Sequence, residues 1–226
     1  YKTGVRIPSI CFSGHRRYPL GSNDPVIEEK SLELMKKCIE LAQDLGVRTI
    51  QLAGYDVYYE EKSPQTRQRF IKNLRKACDW AEESQVVLAI EIMDDPFINS
   101  IEKYLAVEKE IDSPYLFVYP DIGNVSAWHN DVYSEFYLGH HAIAALHLKD
   151  TYAVTESSKG QFRDVTFGQG CVKWEEAFDI LKQTNYNGPF LIEMWSENCE
   201  TVEETRAAIQ EAQAFLYPLI KKAGLM

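Results

Sequence analysis

VVLAIEIMDD, residues 86–95, decides how the chain is read. The apolar run continues on both sides of Glu91, through Val86–Ile90 and then Ile92–Met93, which is the pattern of a strand covered on both faces. An ionised carboxylate in that setting is costly unless something pairs with it. The oddity recurs in LIEMWS, residues 191–196, where Glu193 interrupts an apolar run from Pro189 to Trp195. Two strands therefore each carry a carboxylate that a purely structural strand would not.

Outward from these two, apolar β-branched runs alternate with longer amphipathic segments. Strands are expected at Val5–Phe12, Arg48–Ala53, Val86–Met93, Leu116–Asp121, Ile143–Leu148 and Pro189–Met194. Each is followed by an expected helix: Pro25–Leu45, Pro64–Ser84, Ser100–Asp112, Val132–Leu138, Lys173–Thr184 and Val202–Ala223. Leu34, Cys38, Leu41 and Leu45 recur at helical spacing. Asn23-Asp24-Pro25 and Ser63-Pro64 read as helix starts, and Gly46, Gly188 and Gly224 as stop signals. Strict alternation of strand and helix implies an α/β fold with a parallel sheet and helices outside. No GxGxxG follows any strand, so the dinucleotide-binding version of such a sheet is disfavoured.

The alternative is a (β/α)8 barrel, which gathers polar residues from the carboxyl ends of several strands at one site. The sequence has that pattern: Ser13 and His15, Gln51, Glu91, Asp121, His147 with Lys149 and Asp150, and Glu193. The expectation is one barrel domain over residues 1–226 with about six of its eight units present. The chain opens Tyr1-Lys2-Thr3-Gly4-Val5, without an initiator Met, and soon enters an apolar run. Two further units, roughly 60 residues at barrel proportions, are expected to precede it.

Composition narrows the partners. Of 226 residues, 45% are hydrophobic, enough for a sizeable core, and the formal net charge of −10 offers no basic surface for nucleic acid. No apolar run is long enough to span a membrane, and no signal-peptide pattern opens the chain. The five cysteines are odd in number and form no CxxC pair, which reads as reduced packing residues in a cytoplasmic protein.

Glu91, Asp121, His147 and Glu193 lie on four separate strands. Converging carboxylates repel and raise one another's pKa, and a divalent cation removes the conflict. Three oxygen donors and one imidazole suit Mn, Zn, Co or Mg. His15, Arg16 and Arg17 concentrate positive charge at a strand end and read as the seat of a phosphate. Asn124 is placed to hydrogen-bond a bound ligand, Trp128 to pack its loop, and Tyr55, Tyr58 and Tyr59 to line a pocket. Strand alternation is expected to turn Lys149 away from His147 and Asp150. Asp150 is read either as an orienting neighbour of the ligands or as a helix N-cap. Residues 152–170 read as a mobile loop.

SGHRRYPLGS (13–22), IQLAGYDVYY (50–59), AIEIMD (89–94), YPDIGNVSAW (119–128), HLKDT (147–151), FGQGCVKW (167–174) and GPFLIEMWSE (188–197) run the length of the chain. Together they resemble the metal-dependent sugar isomerases and epimerases of TIM-barrel fold, related in fold to apurinic endonucleases, and within them the pentulose-phosphate 3-epimerases. The resemblance implies one divalent metal held by Glu91, Asp121, His147 and Glu193. It implies epimerisation at C3 of a ketopentose 5-phosphate through an enediolate, with Glu91 and Glu193 as acid and base. It also implies a small sugar-phosphate substrate and a homodimer. Alternatives are an aldose–ketose isomerase, an epimerase of another or unphosphorylated sugar, and a sugar-phosphate sensor without catalysis. A nuclease on the same fold is disfavoured by the acidic charge and by Gln51, which stands where a multi-metal site would want another histidine.

Overall fold

A computed structural model describes residues 2–226, which form two compact units. The first comprises residues up to 98 together with 103–119. Its elements are β1 (Ser9–Phe12), α1 (Gly14–Arg17), α2 (Pro25–Leu45), β2 (Thr49–Ala53), α3 (Pro64–Glu83), β3 (Val87–Glu91), most of α4 (Ile101–Ile111) and β4 (Leu116–Tyr119). The four strands form one parallel sheet in the order β1-β2-β3-β4. β3 is interior to that sheet, and its Leu88, Ala89 and Ile90 are fully buried, as the unbroken apolar run requires. Helices α2 and α3 pack against each other and onto β2 and β3 respectively.

The helix boundaries follow from local chemistry. Asp24 caps α2 by accepting the Val26 N–H at 2.8 Å, with Pro25 in the first turn, and Gly46 closes it at φ +68°. Ser63 and Thr66 cap α3 reciprocally, each side chain accepting from the other's backbone N–H. β1 begins four residues later than expected. Val5 and Ile7 are exposed, and Pro8, which has no N–H for a ladder, precedes the first paired residue.

The second unit comprises residues 99–102 and 120–226. It holds α5 (Ile122–Ala127), α6 (Val132–Gly139), a 3-10 turn (His140–Ala142), β5 (Leu146–Leu148), α7 (Trp174–Gln183), β6 (Phe190–Ile192) and α8 (Val202–Ala223). β5 and β6 pair in parallel, with His147 opposite Leu191. Helix α6 packs on α7 and α7 on α8, around an aromatic cluster of Phe167, Trp174, Phe178 and Phe215. Gly224 ends α8 in the left-handed conformation, as expected. After α7 that role falls to Asn185 at φ 55°, not to Gly188. Asn also tolerates this conformation, so the helix stops before the glycine is reached.

β6 departs from the buried pattern read from its sequence. Its three residues are only half-buried, and Met194 is exposed. Among the described residues, β6 pairs with a strand on one edge alone. Glu193 sits one position beyond β6 rather than inside it. No described helix is long and apolar enough to cross a membrane.

Candidate metal centre

Asp121 follows β4 by two residues and caps α5. Its Oδ1 accepts the Asn124 N–H at 2.8 Å, which fixes the carboxylate and turns Oδ2 the other way. A parallel bridge joins Asp121 to His147, and the His147 N–H donates to the Pro120 carbonyl at 3.0 Å. Glu193 is tied by its own N–H to the Leu148 carbonyl at 3.0 Å. Three neighbouring backbone segments therefore aim their side chains at one point. Each of Asp121, His147 and Glu193 offers a ligand atom, and these atoms lie within 4.8 Å of one another. His147 Nδ1 is 4.0 Å from Asp121 Oδ2 and 3.6 Å from Glu193 Oε2.

Lys149 completes the group. Its Nζ lies 3.0 Å from Asp121 Oδ2 and 2.9 Å from Glu193 Oε2, and its side chain is 7% exposed. The expectation that Lys149 turns away from His147 is corrected. Residues two apart on a strand share a face, so His147 and Lys149 point the same way. Burial pushes the Asp121 carboxyl well above the usual range, the Lys149 charge opposes this, and the neighbouring Glu193 adds to it. Glu193 goes the other way, to about 2. Its own burial opposes the anion, but a hydrogen bond from Asp121 and the charges of Lys149 and His147 outweigh it.

This donor set fits a divalent cation. Asp121 Oδ2 and Glu193 Oε2 are buried oxygens that face each other and the Lys149 ammonium and share at most one proton between them. Two carboxylates with one imidazole suit a hard or borderline divalent ion.

Asp150 caps no helix, and its hydrogen bonds go to loop amides rather than to a ligand side chain. Its carboxylate accepts the N–H groups of Thr151, Gly168, Gly170 and Val172 at 2.8–3.3 Å, and the Trp174 indole N–H at 3.4 Å. It thus fastens the far end of the 152–170 loop beside its start. Antiparallel bridges, Tyr152 with Gln161 and Thr155 with Ser158, brace the loop further. Trp128 packs on Phe162 in this loop, ring centres 5.9 Å apart. A cavity of about 520 Å³ is lined by Lys149, Glu193, Val165, Phe167, Trp195 and Phe215.

In the first unit, Glu91 is the last residue of β3, buried, opposite Ala53 and Tyr119 in the adjoining strands. The Gln51 amide donates to its Oε2. Gln51 is thereby an orienting partner of Glu91, a role its sequence position did not disclose. At the turn after β1, Arg16 Nε donates to Tyr55 Oη at 3.2 Å, and its guanidinium lies 5.0 Å above the Tyr58 ring. Burial raises the Tyr55 phenol to about 12. Arg17 is exposed. His15 does not add to the positive charge expected here. Burial lowers its pKa to about 3, its ring packs edge-on against Phe12, and it is neutral at neutral pH.

Parallel strands alternating with helices, with acids just past strand carboxyl ends beside an imidazole on a neighbouring strand, are the construction of a parallel α/β barrel. The chain belongs to the Xylose isomerase-like TIM barrel family, whose profile matches residues 1–219. It is 51% identical over 225 residues to SgbU of Haemophilus influenzae, provisionally named for L-ribulose-5-phosphate 3-epimerase activity; the match covers 100% of this chain and 78% of that protein. It is 48% identical to the L-ribulose-5-phosphate 3-epimerase UlaE of Escherichia coli, covering 100% of this chain and 76% of UlaE. It shares its fold with the solved structure of an L-ribulose 3-epimerase, at a TM-score of 0.79 and 18% identity, covering 98% of this chain and 77% of the other.

Proposed function

We propose that this chain is a metal-dependent 3-epimerase that interconverts L-ribulose 5-phosphate and L-xylulose 5-phosphate. The observation that carries the reading is 48% identity to UlaE along the whole chain. The gathering of Asp121, His147 and Glu193 supports it. In this reading Glu91 joins those three as the fourth ligand, within one barrel domain. The metal is Mn, Zn, Co or Mg, the protein is a cytoplasmic homodimer, and neither nucleic acid nor membrane is a partner.

The reaction removes the proton from C3 on one face of the sugar and returns one on the other. A divalent ion bound by these residues would supply Lewis-acid stabilisation of the charge that develops on the C2 and C3 oxygens. Glu193 and Glu91 act as base and acid from opposite faces, and exchange roles with the direction of reaction. Gln51 holds Glu91 Oε2 in place, and the Asn124 N–H holds Asp121. Arg16 and Arg17 take the phosphate, with Arg16 steadied by Tyr55 and Tyr58. His15, as a neutral hydrogen-bonding group, and the Asn124 side chain complete the substrate contacts.

The test is conversion of L-ribulose 5-phosphate, followed by NMR, with Mn, Mg, Co or Zn added. The reading expects conversion by the native chain and its loss in Glu193→Gln and Glu91→Gln. Arg16→Ala is expected to raise KM at least about tenfold for the phosphorylated sugar, the worth of one charge-assisted contact, while leaving any activity on free L-ribulose unchanged. Absence of conversion with every metal contradicts the reading.

A further inference from the structure

The Lys149 ammonium stands between two carboxylates that the proposed function assigns to a metal. It is 3.0 Å from one and 2.9 Å from the other, and almost fully buried. A divalent ion coordinated by Asp121 Oδ2 and Glu193 Oε2 would sit within a few ångströms of this nitrogen. Two like charges that close, in a site with little water, repel strongly. Without any cation, the two carboxylates would face each other uncompensated, which is strongly destabilising. The Lys149 side chain has a place to go. The Trp195 ring lies 5.3 Å from Nζ, and the 520 Å³ cavity opens beside both residues. An aromatic face accepts a displaced ammonium.

We propose that Lys149 is a positioning residue for metal capture: a tethered counter-ion that holds Asp121 and Glu193 together and is displaced toward Trp195 when the divalent ion binds. The proposal rests on the reading of Asp121 and Glu193 as metal ligands. It separates Lys149 from an ordinary buried ion-pair partner. Such a partner stabilises the protein equally with and without metal, whereas a displaced counter-ion stabilises only the metal-free form and weakens metal binding.

The test is Mn²⁺ titration by calorimetry, with thermal unfolding midpoints taken with and without Mn²⁺, on the native chain, Lys149→Met and Lys149→Gln. Lys222→Met serves as a control for net charge, since Lys222 pairs with exposed Glu175 on the surface. Both Lys149 variants are expected to melt lower than the native chain without metal and to bind Mn²⁺ at least about tenfold more tightly, with the control unchanged. A variant that unfolds without Mn²⁺ but folds in its presence supports the proposal equally. Unchanged or weaker Mn²⁺ binding, or failure to fold even with Mn²⁺, overturns it. If the native chain binds no divalent ion, the metal reading itself fails, which this series reports separately.

Discussion

At the scale of single residues, two buried polar groups carry sharp consequences. Asp150 satisfies four backbone N–H groups and an indole N–H, so its replacement leaves several buried donors unpaired. Asp150→Ala is expected to cost about 3 kcal/mol in urea unfolding, and a loss below about 1 kcal/mol would show the loop to be held by other means. His15 is held neutral by burial down to a pKa of about 3. Its unfolded counterpart protonates near 6.5, so as pH falls below that value the unfolded chain takes up the proton first. Stability attributable to His15 is therefore fully present above pH 6.5 and is lost toward pH 3, at up to about 1.4 kcal/mol per pH unit. His15→Asn should flatten the stability profile between pH 6.5 and 4 relative to the native chain, and parallel profiles would contradict this. The legibility of residues follows the same physics. Asp121, His147 and Glu193 were legible because charged or imidazole groups ending apolar runs have few innocent explanations. Lys149 was equally visible in HLKD, and a correct use of the two-residue strand period places it beside His147. Asp150 and Gln51 were opaque because their partners, loop amides and a carboxylate on another strand, have no sequence signal. The neutrality of His15 had no sequence signal either, since it depends on burial rather than on its arginine neighbours.

At the scale of elements, the close fit of α5 to β5 matters most for the centre. Thr151 Oγ1 donates to the Gly123 carbonyl at 2.8 Å. A Cβ on Gly123 would lie 2.6 Å from the Lys149 carbonyl, 2.8 Å from Thr151 Cγ2 and 3.1 Å from Asp121 Oδ1. Gly123→Ala must push α5 away from β5 and move Asp121 with it. The expected cost is about 2 kcal/mol of unfolding free energy in urea, with weakened Mn²⁺ binding, and an unchanged midpoint would show the junction to be loose. All six strands and six long helices were readable from periodicity, caps and proline positions, with ends shifted where local chemistry intervened. Pro8 cut β1 short, and Asn185 ended α7 before Gly188. The short helices α1 and α5 were not readable, because four and six residues are too few to show a helical period. The half-exposure of β6 was hidden as well, since an apolar run does not disclose how many partners its strand has.

At the scale of the whole molecule, the alternation of strand and helix specified a parallel α/β fold, the polar residues at strand ends pointed to the barrel form of it, and family membership agrees. The grouping of the described chain into two compact units was not legible, because the alternation continues across residues 98–120 without a break in composition. The chemistry of one particular sugar is also beyond what charge and periodicity carry, and enters through identity to UlaE. The central claim, that carboxylates at strand ends move the C3 proton of a ketopentose phosphate, is tested most directly in deuterium oxide. L-Xylulose 5-phosphate would be incubated with the chain and Mn²⁺, and the C3 proton signal followed by NMR beside a Glu193→Gln control. The account predicts loss of the C3 proton with growth of L-ribulose 5-phosphate in the native sample and neither in the control. Bound sugar whose C3 proton persists in the native sample would contradict it.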